Sequence, residues 1–341
     1  MTKTLLSLFS SNQPLKTPPI WLMRQAGRYL PEYKKTRSQA GSFLELCYNS
    51  ELAEEVTLQP IRRYQFDASI VFADILLIPQ ALGQKLWFEE GEGPRLDPIQ
   101  SADVLDHKDL HKHLAPVYET LSRLSKSLPS ETTLIGFAGA PWTVASYMVA
   151  GRGTTDQAPA KALIQADREK FLHLINYLAD VTSDYLERQV YSGAEVLQIF
   201  ESWAGSLSGN DFEEFCIKPV HRIVKTLRDR GIRVPIIGFP RATDYDLSTY
   251  VKETQINGLS VDQNCNLERL AANLDKDIVI QGNMAPEVLV AGGSNMYSEI
   301  DRICNVLQGR KHIFNLGHGI VPQTPPEHVA DMVYYIRKGH K

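Results

Sequence analysis

Eight short apolar runs, separated for the most part by helical patterns, constrain the fold of this chain more than any other feature. They lie at Ile20–Met23, Ala68–Ala73, Leu134–Ala138, Val196–Phe200, Val234–Phe239, Ile256–Val261, Asp277–Ile280 and His312–Leu316. Strands of a parallel sheet are covered on both faces, so they read as continuous apolar runs. Phe212, Phe215, Pro219, Ile223 and Leu227 step by three or four and share one face of a predicted helix, with Asn210 or Asp211 as its cap and Gly231 at its stop. Phe171, Leu174, Leu178, Val181 and Tyr185 mark a longer helix before the fourth run. A short helix fits Leu267–Leu274, and Pro325-Pro326-Glu327 opens the last one, whose apolar face is Val329, Met332, Val333 and Ile336. Strands alternating with helices in this number predict an α/β fold, a (β/α)8 TIM barrel. A doubly wound open sheet usually has fewer strands and a glycine-rich first turn. No GxGxxG and no GxxxxGK[ST] occurs here.

The 341 residues contain no linker, low-complexity tract or short-period repeat, so one domain over 1–341 is the simplest organisation. Lys and Arg total 36 against 40 Asp and Glu. That balance argues against a nucleic-acid surface, which needs a basic face. It leaves room for an anionic small molecule, because a few local arginines outweigh a global balance. The cysteines at 47, 216, 265 and 304 form no CxxC pair, so neither a zinc ribbon nor a disulfide framework is expected, and a reducing, cytoplasmic setting fits. The apolar stretch Leu5–Phe9, broken by Ser7, is too short for a secretory core, and no stretch approaches membrane-spanning length.

A barrel makes a demand on function, since catalytic groups sit just beyond the C-terminal ends of its strands. Here the runs end in Arg24-Gln25, Asp74, Gly139, Glu201-Ser202, Arg241, Asp262, Gly282-Asn283 and Gly317-His318-Gly319, which should converge on one mouth. A lone arginine is usually surface decoration, but Arg24 and Arg28 flank Gln25, Ala26 and Gly27 directly after an apolar strand. Guanidinium groups make forked, charge-assisted bonds to carboxylates, and small residues let a ligand approach the backbone. Asp74 lies within the run from Ile70 to Ile78. It either caps a helix or pairs with a core arginine, or it faces positive charge that develops during reaction. Tyr147 falls near the mouth within Gly136–Met148, where packing is the commoner use of a tyrosine. His318 is presented between two glycines and reads equally as structural or catalytic. His107, His111 and His113 sit among lysines and aspartates, so a solvated face is the better reading than a metal site.

The segment Pro19–Tyr33, with its Met23-Arg24-Gln25-Ala26-Gly27-Arg28-Tyr29 core, resembles one signature of the uroporphyrinogen decarboxylase family, and Gly136–Gly151 resembles a second. Phe66–Gly83, Phe200–Gly205 and Asn315–Val329 extend the likeness over nearly the whole chain. The resemblance implies a (β/α)8 barrel, a homodimer with facing clefts, and removal of the four acetate carboxyls of uroporphyrinogen III to give coproporphyrinogen III and carbon dioxide, in heme biosynthesis and without metal or cofactor. It implies that Arg24 and Arg28 hold substrate carboxylates, that Asp74 faces the pyrrole NH groups, and that Gln25, Phe43, Tyr147, Ser202 and His318 line the pocket. Two places depart from the family pattern: Gly258-Leu259-Ser260-Val261 stands where many members read Gly-Leu-Asp-Trp, and Met284-Ala285-Pro286 where many read Leu-Asp-Pro.

Losing carbon dioxide leaves an electron pair that needs a sink. A pyrrole protonated at a ring carbon is such a sink, and Asp74 is expected to stabilise that cation. The proton donor stays open among the arginines, Tyr147 and His318. The chief rival is a zinc-dependent corrinoid or thiol methyltransferase of the same barrel type. It calls for His and Cys ligands, and the chain has no HxC motif. A tetrapyrrole-binding protein without catalysis is a third reading, but it gives no reason to combine Asp74 with both arginines.

Overall fold

Apolar runs that need cover on two faces find it in a parallel sheet wrapped by helices. The structure, a computed structural model, describes residues 3–11, 13–89 and 91–339. The strands in chain order are β1 (Ala68–Ile70), β2 (Leu86–Glu89), β3 (Gly93–Leu96), β4 (Thr133–Gly139), β5 (Val196–Glu201), β6 (Ile236–Pro240), β7 (Gly258–Ser260), β8 (Val279–Gln281) and β9 (His312–Ile313). Seven form one parallel sheet in the order β1-β4-β5-β6-β7-β8-β9. Register is set by pairs such as Ile70 with Ile135, Phe137 with Gln198, Ile199 with Gly238 and Leu259 with Ile280. Each intervening segment returns through helix to the next strand, as parallel pairing requires.

The sheet curls until its edges meet across residues 19–21. Ile20 bridges Phe314 in parallel, and Phe314 N–H donates to Pro19 O at 2.9 Å. On the other side, Asp67 N–H donates to Ile20 O at 2.9 Å, and the Asp67 carboxylate accepts Ile20 N–H at 2.8 Å. The first apolar run is therefore the eighth stave of the barrel, though of Ile20–Met23 only Ile20 forms a strand bridge, with Trp21 N–H adding a bond to Phe314 O at 3.4 Å. The chain turns at Met23, before the run can extend.

Inside the barrel, Trp21, Ala68, Ile135, Val196, Ile237, Val279 and Ile313 form one apolar cluster. The helix Thr4–Ser10 plugs it, with Leu5 and Leu8 fully buried. The N-terminal apolar stretch is thus part of the barrel floor. Above this cluster lies a polar tier. Trp21 Nε1–H donates to Gln281 Oε1 at 2.9 Å, and Gln281 Nε2–H donates to Gln198 Oε1 and Ser260 Oγ, both at 3.1 Å. Ser260, one of the departures from the family pattern, is a member of this network.

Outside the barrel the predicted helices appear at Arg168–Tyr191, Lys218–Asp229, Leu267–Asn273 and Pro326–Lys338. The predicted apolar faces are buried in each of the two longest. The Phe212–Leu227 face is buried too, but its helix is not continuous. A short piece, Gly209–Phe212, passes through a wider turn at 213–217 into Lys218–Asp229. Pro219 has no N–H to give the preceding turn, which favours such a break. Neither Asn210 nor Asp211 caps the start: the helical segment begins at Gly209, and Asp211 pairs with Arg168 at 2.7 Å. An antiparallel hairpin, β2–β3, stands beside the barrel mouth and was not foreseen.

Candidate active site

The loops after the strands build the mouth. Arg24 follows the first stave with φ 62°, a left-handed conformation that costs a side-chain-bearing residue about 1–3 kcal/mol. Neighbouring bonds hold it there. Met23 N–H donates to Asn315 Oδ1 at 3.1 Å, and Ile320 N–H donates to Met23 O at 2.9 Å. The loops after the first stave and after β9 therefore interlock. A Cβ at Gly319 would overlap the Arg24 side chain, so the guanidinium stem rests on that glycine.

Arg24 and Arg28 are exposed, and Ala26 and Gly27 between them are half-buried. Gln25 differs: its amide is turned into the protein. Its Oε1 accepts Leu22 N–H at 3.1 Å and its Nε2–H donates to Ala68 O at 3.3 Å, with 1% of the residue exposed. It braces the loop that presents the two arginines.

Asp74 comes four residues after β1 and is half-buried. One carboxylate oxygen accepts Leu76 N–H at 2.8 Å, fixing the turn before the helix Leu77–Ala81. The other oxygen makes no hydrogen bond among the described residues. Burial raises the Asp74 pKa, against the opposing pull of that N–H and of Arg24.

Tyr147 lies on the helix Pro141–Ala150 and packs against Leu76, Leu86 and Leu96, so the unforeseen hairpin forms its apolar bed. Its ring is 6.0 Å from Trp203. A Cβ on Gly153 would lie 3.3 Å from the Tyr147 hydroxyl, so that glycine keeps the space beside it open. Burial and the Asp74 charge raise the phenol pKa, while Arg24 lowers it. Tyr147 is a neutral hydrogen-bond donor at this site.

His318 is half-buried on the loop after β9. Burial, then the positive charges of Arg24 and Arg241, push its pKa down to about 4. At neutral pH it is an uncharged imidazole. Arg24 thus acts electrostatically on Asp74, Tyr147 and His318 alike, and it stands at the centre of the constellation.

The remaining positions define the walls. Phe43 opens the helix Phe43–Tyr48, and its ring lies 4.6 Å from Phe88 and 5.8 Å from Phe72. Ser202 is half-buried at the tip of β5. Arg241, a strand-end residue to which sequence reasoning assigned no role, joins Arg24 beside His318. The Asp262 carboxylate nearby is occupied by Ala242 N–H at 2.7 Å and Asn264 N–H at 2.8 Å. Guanidinium groups therefore outnumber available carboxylates at the mouth, on a chain whose net charge is −4. Such a cleft favours a polyanion.

The three histidines read as a solvated face stay away from this site. His111 Nδ1 lies 2.9 Å from the Tyr118 hydroxyl, and His113 Nδ1 lies 3.0 Å from Asp109 O. Among the described residues, no group of three His, Cys, Asp or Glu side chains is placed to hold a metal.

A family model described as uroporphyrinogen decarboxylase matches residues 1–339. The chain is 52% identical over 339 residues to a uroporphyrinogen decarboxylase of Paracoccus denitrificans, covering 98% of this chain and 99% of that one. It is 52% identical over 331 residues to a protein of the same description from Jannaschia sp., covering 96% of each. Among solved structures, a methyltransferase from Methanosarcina mazei superposes with a TM-score of 0.81 at 16% identity, over 99% of both chains. A B12-independent methionine synthase from Shewanella sp. gives 0.56 at 9% identity, over 85% of this chain and 88% of that one. At such identities the likeness is one of fold.

Proposed function

This chain belongs to the uroporphyrinogen decarboxylase family, and on that premise we propose that it removes the four acetate carboxyls of uroporphyrinogen III, yielding coproporphyrinogen III and carbon dioxide. It is a carboxy-lyase of porphyrin biosynthesis. The observation that carries the reading at the level of residues is the placement of Arg24 within electrostatic reach of Asp74, Tyr147 and His318.

The chemistry follows from the substrate. A proton adds to a pyrrole ring carbon and leaves a cation delocalised onto nitrogen. The bond from the acetate methylene to its carboxyl then breaks, and its electron pair neutralises that cation. The methylene carbon takes a second proton, and the ring carbon gives its proton back. Each cycle consumes one proton and releases one carbon dioxide. The pyrrole is its own electron sink, so the chemistry calls for no added cofactor.

Asp74 offers its free oxygen to the pyrrole NH groups and stabilises the cation. One opposite charge at ~4 Å in an effective dielectric of ~20 is worth about 4 kcal/mol. That is a share of the roughly 8–23 kcal/mol enzymes typically supply. Arg24 and Arg28 place substrate carboxylates, and Phe43, Phe72 and Phe88 give the macrocycle an apolar wall. Positioning supplies much of the remainder. Tyr147 and His318 act as neutral hydrogen-bonding groups: the raised phenol is a weak acid, and the lowered imidazole carries no proton to give at neutral pH.

The protein works in the cytoplasm as a homodimer with facing clefts. The four thiols are unpaired, as in a reducing compartment, and no helix among the described residues is long and apolar enough to cross a membrane. Light scattering should report twice the 38.3 kDa chain mass.

Anaerobic incubation with uroporphyrinogen III, with and without chelator, tests the function. Stepwise loss of carboxyls down to the four-carboxyl product, unchanged by chelator, is expected. Unchanged substrate with folded protein would overturn the reading and direct attention to methyl transfer.

A further inference from the structure

Glu201 ends β5 at the mouth, yet its carboxyl does not open into it. The residue is fully buried. Its Oε1 accepts Thr143 N–H at 2.8 Å and the Thr143 hydroxyl, and the Trp142 N–H favours the charged form of the same carboxyl. Those N–H groups belong to the first turn of the helix Pro141–Ala150, where no partner exists within the helix. Thr143 Oγ1 in turn accepts Trp203 N–H at 3.3 Å, and the Trp142 indole N–H donates to Trp203 O at 3.1 Å. Trp203 then meets the Tyr147 ring. One buried carboxyl thus ties the tip of β5 to the start of the helix that carries Tyr147.

We propose that Glu201 is a positioning residue for the decarboxylation, its carboxyl fixing the first turn of the Pro141–Ala150 helix and so the place of the Tyr147 hydroxyl at the mouth. The proposal rests on the decarboxylase reading of that site. Oε2 of Glu201 has no hydrogen-bond partner among the described residues, and neither has the hydroxyl of Tyr250, which the Glu201 charge reaches. Cys216 is the other titratable group beside it, and burial and the Glu201 charge push both the thiol and the Tyr250 phenol up. Among the described residues, no cation faces the carboxyl. Burial accordingly raises its pKa to about 8, against the bonds from Thr143 and Trp142. Ionisation of Glu201 therefore places a charge without a counter-ion beneath the helix start.

The test uses the full-length protein and uroporphyrinogen III, with E201A, E201Q, Y147F and the E201A/Y147F double variant, and thermal unfolding followed on the same samples. Expected are a loss of kcat of about tenfold or more in E201A with KM changed by less than about threefold, since only positioning of the reacting complex is lost. E201Q, which keeps the shape and Oε1, should restore most of that loss. The kcat losses of E201A and Y147F should not add, because both act through one hydroxyl. Tryptophan emission, reporting Trp142 and Trp203, should titrate near pH 8 in the wild type and not in E201Q. Folded E201A with wild-type kcat, an E201Q no better than E201A, or additive losses would overturn the proposal. If the wild type releases no carbon dioxide, the decarboxylase reading fails on its own. Tryptophan emission of the variants then still decides whether Glu201 governs the helix start, and an E201A spectrum identical to the wild type overturns that.

Discussion

The two ends of the same barrel are built on opposite terms. At the N-terminal end, Leu5 and Leu8 plug a ring of Ile135, Val196, Ile237, Val279 and Ile313, and the cluster is apolar throughout. At the C-terminal end, Arg24 and Ala242 hold left-handed φ values of 62° and 58°, and half-buried Asp74 and His318 have pKa values displaced by burial. The floor stabilises the fold through packing, whereas the mouth holds strain and partly desolvated charge that a ligand can relieve. A few residues along each strand separate the two regimes, and the polar tier of Trp21, Gln198, Ser260 and Gln281 lies between them.

That division can be broken from either end. The largest effect is expected from Asp74→Asn. The kcat for carbon dioxide release should fall by about a thousandfold, near 4 kcal/mol, with KM changed little. Thermal unfolding should be unchanged or slightly higher, because the Asp74 charge is disfavoured by burial. A D74N enzyme that unfolds early would show that the mouth carries stability as well. Leu8→Ala tests the floor. Removing this fully buried side chain should cost about 3 kcal/mol in denaturant unfolding, while kcat and KM stay at wild-type values wherever the protein is folded. Altered kcat in folded L8A would mean that floor and mouth are coupled.

Smaller changes sharpen the contrast. Arg24→Lys keeps a charge but loses the forked donor, so kcat/KM should drop by about tenfold, roughly 1.4 kcal/mol, mostly through KM. A wild-type KM in R24K would remove Arg24 from carboxylate binding. The smallest effect concerns His318 and acid stability. Its folded pKa, about 4, is below the ordinary 6.5, so as pH falls the unfolded chain takes the proton first. Its contribution is present above pH 6.5 and is lost as pH falls through 4. His318→Asn should therefore gain about 1 kcal/mol relative to wild type at mildly acidic pH, after allowance for partial solvation, and nothing at neutral pH. Equal pH profiles for the two proteins would show that His318 is not held neutral.

The departures from the family pattern show how local and distant information divide. In sequence, Ser260 is only a residue where many relatives have a carboxylate. In the barrel it bonds to the Gln281 amide, which also takes the Trp21 indole and reaches Gln198, so the change lies in a network joining four staves. Gln25 makes the same point. The family resemblance implied a lining residue there, and its bonds to Leu22 and Ala68 show that its amide also braces the loop. The β2–β3 hairpin escaped notice because its short strands carry only four residues each and interrupt the expected alternation, although glycines at 91 and 93 mark a turn. The broken helix at 213–217 was foreshadowed by Pro219, but the burial of its apolar face did not depend on continuity.

By itself the sequence determined the class of fold, the number of staves, the helical faces and the strand ends that meet at the mouth. Those depend on periodicity, local propensity and chain direction, all of which act between near neighbours. Only the tertiary structure decided that the N-terminal stretch is a barrel plug, that the guanidinium stem of Arg24 rests on Gly319, that burial lowers the His318 pKa and raises that of Glu201, and that Tyr147 packs against a hairpin. Burial and through-space charge set those properties, and both arise between residues far apart in the chain that are brought together only when the last stave meets the first.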